Sequence, residues 1–185
     1  MKNIITIAGT LGSGKSSTAK GVAKALGYTH FSSGDLFRAL AAERGETVEA
    51  MNQSAEVQKD LDHQVDELLQ NMYAEQDELV IDSRMAWHWM PDSFKVFLQL
   101  DTDIAAARIF SHIKDGGRVS EDAESVEEVA ASIERRLASE QKRYFELYGV
   151  NPRDPQHFDL VIDTQENNLE TVIRMVLTAY EERGR

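Results

Sequence analysis

The chain has 185 residues, a formal charge of −12 and no cysteine. So acidic a chain argues against a nucleic-acid polymer as partner, since phosphate backbones are bound by basic faces, and the lack of cysteine excludes disulfides, thiolate metal sites and thiol nucleophiles. No apolar run approaches the roughly twenty residues of a membrane span and the N-terminus turns glycine-rich too soon for a signal peptide, so a soluble, cytoplasmic protein with one domain over residues 1–185 is expected.

In chain order, Ile4-Ile5-Thr6-Ile7-Ala8 is an apolar run that reads as a buried strand, and Gly9-Thr10-Leu11-Gly12-Ser13-Gly14-Lys15-Ser16 follows it directly. A helix opens near Lys15, with Ala19, Val22, Ala23 and Leu26 on one face and Gly27 as its stop. Strand, glycine loop and helix in this order form a phosphate-binding P-loop. Glycines let the backbone approach a phosphate with its N–H groups turned inward, and the helix start adds unpaired donors and a positive dipole end. Gly9, Thr10, Gly12, Ser13, Gly14, Lys15, Ser16 and Ser17 are therefore the expected ATP-binding residues. Lys15 supplies the cation for the β- and γ-phosphates, and the Ser16 hydroxyl is placed to ligate Mg²⁺.

Tyr28 to Phe31 reads as a second strand, and Ser32-Ser33-Gly34-Asp35 as caps before a helix with Leu36, Phe37, Leu40 and Ala41 inward and Gly45 as its end. A longer helix is predicted from about Ser54 to Tyr73, with Val57, Leu61, Val65, Leu68, Leu69 and Met72 inward and an acidic opposite face. Glu78–Asp82 and Phe94–Leu100 are the third and fourth strands, and Asp101 to Asp103 cap a helix holding Ile104, Ala107, Arg108 and Ile109. Lys114 to Glu124 reads as a glycine-containing acidic loop, its Glu121, Asp122 and Glu124 a solvated face. Ser125-Val126-Glu127-Glu128 is a capping box. It opens a long helix with an inner stripe of Val126, Val129, Ala130, Ile133, Leu137, Tyr144, Phe145 and Tyr148. After a turn at Asn151–Pro155 come a fifth strand, Phe158–Asp163, and a closing helix marked by Leu169, Val172, Ile173, Val176, Leu177 and Tyr180.

Five near-continuous apolar strands separated by helices predict an α/β fold: a five-stranded parallel sheet with helices on both faces. Ligands of such sheets lie beyond the carboxyl ends of the strands. The P-loop, Asp35, Asp82 and the end of the fourth strand all belong to that edge. Asp82 closes an apolar strand in the manner of a carboxylate that holds Mg²⁺, directly or through water, together with Ser16. Arg38, Arg84, Arg108, Arg118, Arg136 and Arg143 are candidate phosphate ligands, since guanidinium forks match phosphoryl oxygens in pairs. The five histidines have no metal-ligand spacing and read as structural.

Phe31-Ser32-Ser33-Gly34-Asp35-Leu36-Phe37-Arg38 resembles the Ser/Thr-Gly-Asp-x-x-Arg element of nucleoside monophosphate kinases. The chain is most similar to the archaeal-type cytidylate kinases, through Gly34–Arg38, Ile81–Arg84, Ser139–Gly149 and Asp159–Thr164 in the family's order. The resemblance implies that Ser33, Asp35, Arg38, Arg84 and Arg143 bind the monophosphate. It also implies that Lys15, Arg84, Arg108 and Arg136 act on the transferring phosphoryl group, with Arg143 closing from the lid side. It divides the chain into a P-loop core, monophosphate-binding helices over about 33–74 and a lid over about 112–125. Three departures stand out: Asp82-Ser83-Arg84 where the family tends to have Asp-Gly-Arg, Ala86-Trp87-His88-Trp89 where it tends to have Ala-Gly-Trp, and a longer lid. Trp87 and Trp89 read either as core or as a platform for a base.

The expected reaction is transfer from ATP, with Mg²⁺, to a pyrimidine monophosphate, most simply CMP or dCMP, by a monomer whose partners are small nucleotides. An acceptor phosphate is already anionic near neutral pH, so positioning and charge stabilisation suffice. The alternatives are a P-loop kinase of an alcohol with Asp35 as general base, and a nucleotide-dependent switch or ATPase.

Overall fold

A computed structural model describes residues 2–47, 50–51, 60–114 and 123–183. In chain order the described elements are β1 (Ile4–Gly9), α1 (Lys15–Leu26), β2 (Thr29–Ser32), α2 (Ser33–Arg44), α3 (Asp60–Glu75), β3 (Leu79–Asp82), α4 (Ala86–Trp89), β4 (Phe94–Gln99), α5 (Thr102–Lys114), α6 (Val126–Tyr148), a 3₁₀ turn (Pro155–His157), β5 (Leu160–Asp163) and α7 (Leu169–Arg183). The strands form one five-stranded sheet in the order β2-β3-β1-β4-β5, and every pair is parallel. The predicted α/β architecture is therefore the observed one.

The apolar strands are sorted by their pleat. Ile5 and Ile7 of β1 join Val80, Val96, Leu98 and Ile162 beneath Ala19, Val22 and Ala23 of α1 and Val172 and Val176 of α7. Ile4, Leu79 and Ile81 point to the opposite face, against Leu69 and Met72 of α3 and Ala86 and Met90 around α4. Ala8 and Phe97 share that face, beside Trp87, with Tyr144 and Tyr148 of α6 packed on them. A buried strand with helices on both sides needs apolar residues at every position, which is why these runs do not alternate.

Strand ends set the working rim. Ser32 and Ile7 both pair in register with Asp82, Gly9 with Leu98, and Gln99 with Asp163. Gly9 closes β1 at φ +153°, and a Cβ there would lie 2.3 Å from the Leu98 carbonyl oxygen. Only glycine allows the chain to leave β1 so close to β4. Side chains then start the helices. Ser32 Oγ accepts from the Asp35 N–H, and Ser125 Oγ from the Glu128 N–H. In the second cap the return bond to Glu128 Oε2 is donated by the Glu124 N–H rather than by the Ser125 N–H.

Several expectations shift. The helix predicted from Ser54 is described from Asp60 to Glu75, and 54–59 lie outside the described residues. The short helix α4 and the 3₁₀ turn were not anticipated. Phe145, expected inward, is 65% exposed, and Leu169 is 45% exposed. On α6 the inward positions next to Phe145 are taken by Glu140 and Arg143. A helix face that borders a polar site buries charge, and the apolar stripe misplaces it.

Replacing Gly9 by Ala is expected to cost about 2–3 kcal/mol, from a clash with backbone and a strained φ. The thermal midpoint should fall by about 5–10 °C. Calorimetry showing an unchanged midpoint would mean that β1 and β4 can separate at this point.

Candidate active site

The loop after β1 is folded on itself. Ser13 Oγ and Lys15 Nζ each donate to the Thr10 carbonyl at 2.8 Å, and the Thr10 N–H donates to the Leu98 carbonyl at 3.1 Å. Gly12 and Gly14 adopt left-handed φ values of 74° and 83°, and Gly14 leads into α1 with no side-chain cap. The first N–H groups of a helix have no intrahelical acceptor, so those of α1 face the rim as ready anion donors. Burial, and then the nearby Arg84 guanidinium, pull the Lys15 ammonium down to about 7. An anion beside Lys15 would restore its charge.

Asp82 ties the two halves of the rim together. Ser16 Oγ donates to its Oδ2, as does Ser32 Oγ at 3.3 Å, and Ser33 Oγ donates to its backbone carbonyl at 3.4 Å. Asp82 is itself buried. One hydroxyl and one carboxylate suit Mg²⁺, which takes oxygen ligands, keeps several waters and draws the rest from phosphates. Among the described residues no group of three or more His, Asp or Glu side chains could hold a metal by itself. Ser16 and Asp82 thus fit a phosphate-bound ion and not an all-protein cage.

Beyond Asp82 opens a cleft bounded by Ser33, Gly34 and Arg38 of α2, Asp62 and Asp66 of α3, Arg84 after β3, and Arg136, Glu140 and Arg143 of α6. Its charges are paired. Arg84 Nε lies 2.6 Å from Glu140 Oε2, and Arg136 Nε 3.3 Å from Glu140 Oε1. Arg143 Nε lies 2.7 Å from Asp62 Oδ2, with side-chain exposures of 5% and 8%. At the cleft mouth Arg38 pairs with Asp35, both substantially exposed.

The Arg143–Asp62 pair is close but poorly aligned. Arg143 Nε and Nη1 and Asp62 Oδ2 are buried and have no hydrogen-bond partner among the described residues. Buried groups of this kind are normally satisfied, so the cleft presents a guanidinium with bonds to give. Burial also pushes the carboxyls of Asp62 and Asp66 above the usual carboxylate range. Asp66 is held by the Trp89 indole N–H at 2.7 Å and by the Tyr148 hydroxyl. These bonds clamp α3 to α4 and α6.

The model of the cytidylate kinase-like family matches residues 4–166. The chain belongs to the cytidylate kinase-like family. This membership puts it among the nucleoside monophosphate kinases. It is 35% identical over 181 residues to the cytidylate kinase of Haloarcula marismortui, covering 96% of this chain and 89% of that one. Identity to the cytidylate kinase of Thermoplasma volcanium is 32% over 185 residues, covering 98% and 93%. In fold it is similar to a shikimate kinase from Bacteroides thetaiotaomicron, with a TM-score of 0.67 at 15% identity over 98% of this chain and 99% of that one. An uncharacterised protein from Eubacterium ventriosum gives a TM-score of 0.66 at 19% identity over 97% and 99%. At such identities the two structures speak for the fold alone.

Within this kinase scaffold the P-loop residues, Ser33, Asp35, Arg38, Asp82, Arg84, Arg136 and Arg143 gather at one rim. Arg108 does not line the cleft with them. It is exposed, and its Nη2 donates to the Thr164 carbonyl past the end of β5 at 2.8 Å. Arg118 and positions 115–122 of the expected lid lie outside the described residues, while 112–114 end α5 and Ser125 caps α6. Trp87 is a core residue, stacked on His157 with ring centroids 4.3 Å apart, and its indole N–H holds the Arg84 carbonyl at 2.8 Å. Neither tryptophan is among the described lining of the cleft.

The sequence reading missed Glu140, Asp62 and Asp66. The signals were faint ones: Glu140 follows Arg136 by four residues and precedes Arg143 by three, which puts all three on one helix face. Asp62 and Asp66 likewise stand four apart, on the helix face that reads as acidic.

Replacing Asp62 by Ala is expected to cost about 3–5 kcal/mol, since it strands a buried guanidinium. Urea unfolding measures this. A loss below about 1 kcal/mol, the range of an exposed pair, would show that Arg143 is well hydrated.

Proposed function

We propose that the chain transfers the γ-phosphoryl group of ATP to CMP or dCMP, giving ADP and the diphosphate. The observation that carries this reading is Arg143: a buried guanidinium whose Nη1 has no hydrogen-bond partner among the described residues, lining with Arg84 a cleft that shares its rim with a P-loop. One anion-binding loop is enough for an ATPase. A second buried cation site facing it calls for a second phosphate.

An oxygen of the acceptor phosphate attacks the γ-phosphorus. The bond to the β–γ bridging oxygen breaks, and its electron pair leaves with ADP. Lys15 and the N–H groups at the start of α1 take up charge on the donor side. Arg38, Arg84 and Arg143 orient the acceptor, and Arg136 stands beside Arg84 across Glu140, where charge builds between the two ligands. Mg²⁺, held by Ser16 and Asp82, would supply charge neutralisation on the donor phosphates.

The pairing of Asp35 favours this chemistry over an alcohol kinase. A hydrogen bond from Arg38 holds the Asp35 carboxyl below the usual carboxylate range, which makes it a weak base, whereas a phosphate acceptor needs none. The base preference follows the relatives named cytidylate kinase.

A coupled assay of ADP release, run across the common monophosphates at saturating ATP, tests the reading. CMP and dCMP should exceed UMP by at least about tenfold in kcat/KM, a modest discrimination for a site that hydrogen-bonds one base and not the other. ADP release that does not depend on any monophosphate would replace the proposal with an ATPase. Lys15→Ala should lower kcat by about 10²-fold or more while circular dichroism stays unchanged. Arg38→Ala should raise the KM of the acceptor well above any change in that of ATP, and equal rises would remove Arg38 from the acceptor site.

A further inference from the structure

A carboxylate is out of place among ligands for two phosphates, yet Glu140 sits there, 4% exposed. It bridges Arg84, which follows the end of β3, and Arg136, one turn earlier on its own helix. It lines the acceptor cleft, and also the small pocket behind Arg84 that reaches Gly9 of the P-loop. Its charge is felt by Lys15 on one side and by Arg143 on the other. Glu140 thus stands at the centre of the cation cluster, between the donor and the acceptor halves.

A carboxylate in that position repels both substrates, so any benefit must pass through the arginines it holds. Long cationic side chains packed without a counter-charge repel one another and lose their alignment. A shared carboxylate fixes two guanidinium groups side by side. Trp87 steadies the same unit from below through the Arg84 carbonyl.

We propose that Glu140 is the positioning residue of this site, a built-in counter-anion that aligns Arg84 and Arg136 before phosphate arrives and is partly relieved of them when it does. The proposal rests on the cleft being the phosphoryl-transfer site and deepens that reading. It makes a substrate phosphate and Glu140 competitors for the same cations. Removing the carboxylate charge should therefore tighten anion binding and slow turnover, because the arginines become hungrier for anions and less well placed.

Glu140→Gln keeps the shape and removes the charge. Its thermal midpoint in phosphate-free buffer is expected below that of wild type, and millimolar inorganic phosphate should raise it by about twice the wild-type gain. In the CMP assay its kcat should fall by at least about tenfold with the KM for CMP unchanged or lower. A residue with only a structural role would lower the midpoint without changing the response to phosphate. Glu140→Asp, charged but shorter, should return the phosphate response to that of wild type and only part of kcat. Equal phosphate gains in wild type and Glu140→Gln, or a kcat within about twofold of wild type, overturns the proposal. If Glu140→Gln cannot be purified folded, refolding with and without phosphate decides: recovery with phosphate alone supports it, and no recovery with phosphate overturns it. Wild-type turnover of CMP is measured in the same series. Its absence would remove the kinase reading, while the phosphate comparison would still decide the role of Glu140.

Discussion

Cations crowded into a partly dry cleft must be given counter-charge before any substrate is present. Lys15, Arg84, Arg136 and Arg143 all converge on one rim of the sheet, and two like charges at about 6 Å repel by roughly 2–3 kcal/mol even at an effective dielectric near 20. Glu140, Asp62 and Asp82 answer this from three different elements, α6, α3 and β3. The result is a site rich in cations yet close to neutral, inside a chain whose formal charge is −12. The acidic exterior need not set the charge of what binds here, since exposed charges beyond about 10 Å are largely screened.

The scaffold meets this constraint by mounting each charge on a rigid element. Gly9 lets the P-loop start against β4, so that Lys15 and the head of α1 stand directly over the sheet. Arg84 leaves the buried end of β3 and is braced by Trp87. Arg136, Glu140 and Arg143 share one face of a 23-residue helix, and α3 is clamped to that helix through Asp66 and Tyr148. Side chains set this way need little reorganisation when phosphates enter, which is where electrostatic catalysis draws its strength.

Much of the frame was legible because its signals are local. A glycine loop between an apolar strand and a helix has few other meanings, and strands buried on both faces announce a parallel sheet. The arginines were legible as residue types, though Arg108 turned out to serve the Thr164 carbonyl outside the cleft. The counter-charges were not legible. Periodicity marks the face of α3 that carries Asp62 and Asp66 only as acidic, and their partners appear once α6 is laid against α3. The same rule puts Phe145 inward and gives no sign that Glu140 and Arg143 share a buried face, because hydrophobic patterning assumes that such a face is apolar. Long-range pairs of charge are a property of packing, and no window along the chain contains both partners.

The pairs differ in how easily they yield. Arg38 and Asp35 are about half exposed, and an exposed pair of this kind is worth only about 0–1 kcal/mol. An incoming anion can claim Arg38 at little cost, which suits a first contact at the cleft mouth. Deeper in, breaking Arg143 from Asp62 would be expensive. It is also unnecessary, because among the described residues Nη1 has no hydrogen-bond partner to give up. A phosphate oxygen there adds a bond and leaves the ion pair standing. Glu140 lies between these cases: both of its oxygens are engaged, so anions can gain Arg84 and Arg136 only by sharing them with it. On the proposed function, loose pairing at the entrance, a guanidinium Nη1 without a partner among the described residues in the depth and a contested pair at the centre would order the steps of binding, with the contested pair between donor and acceptor.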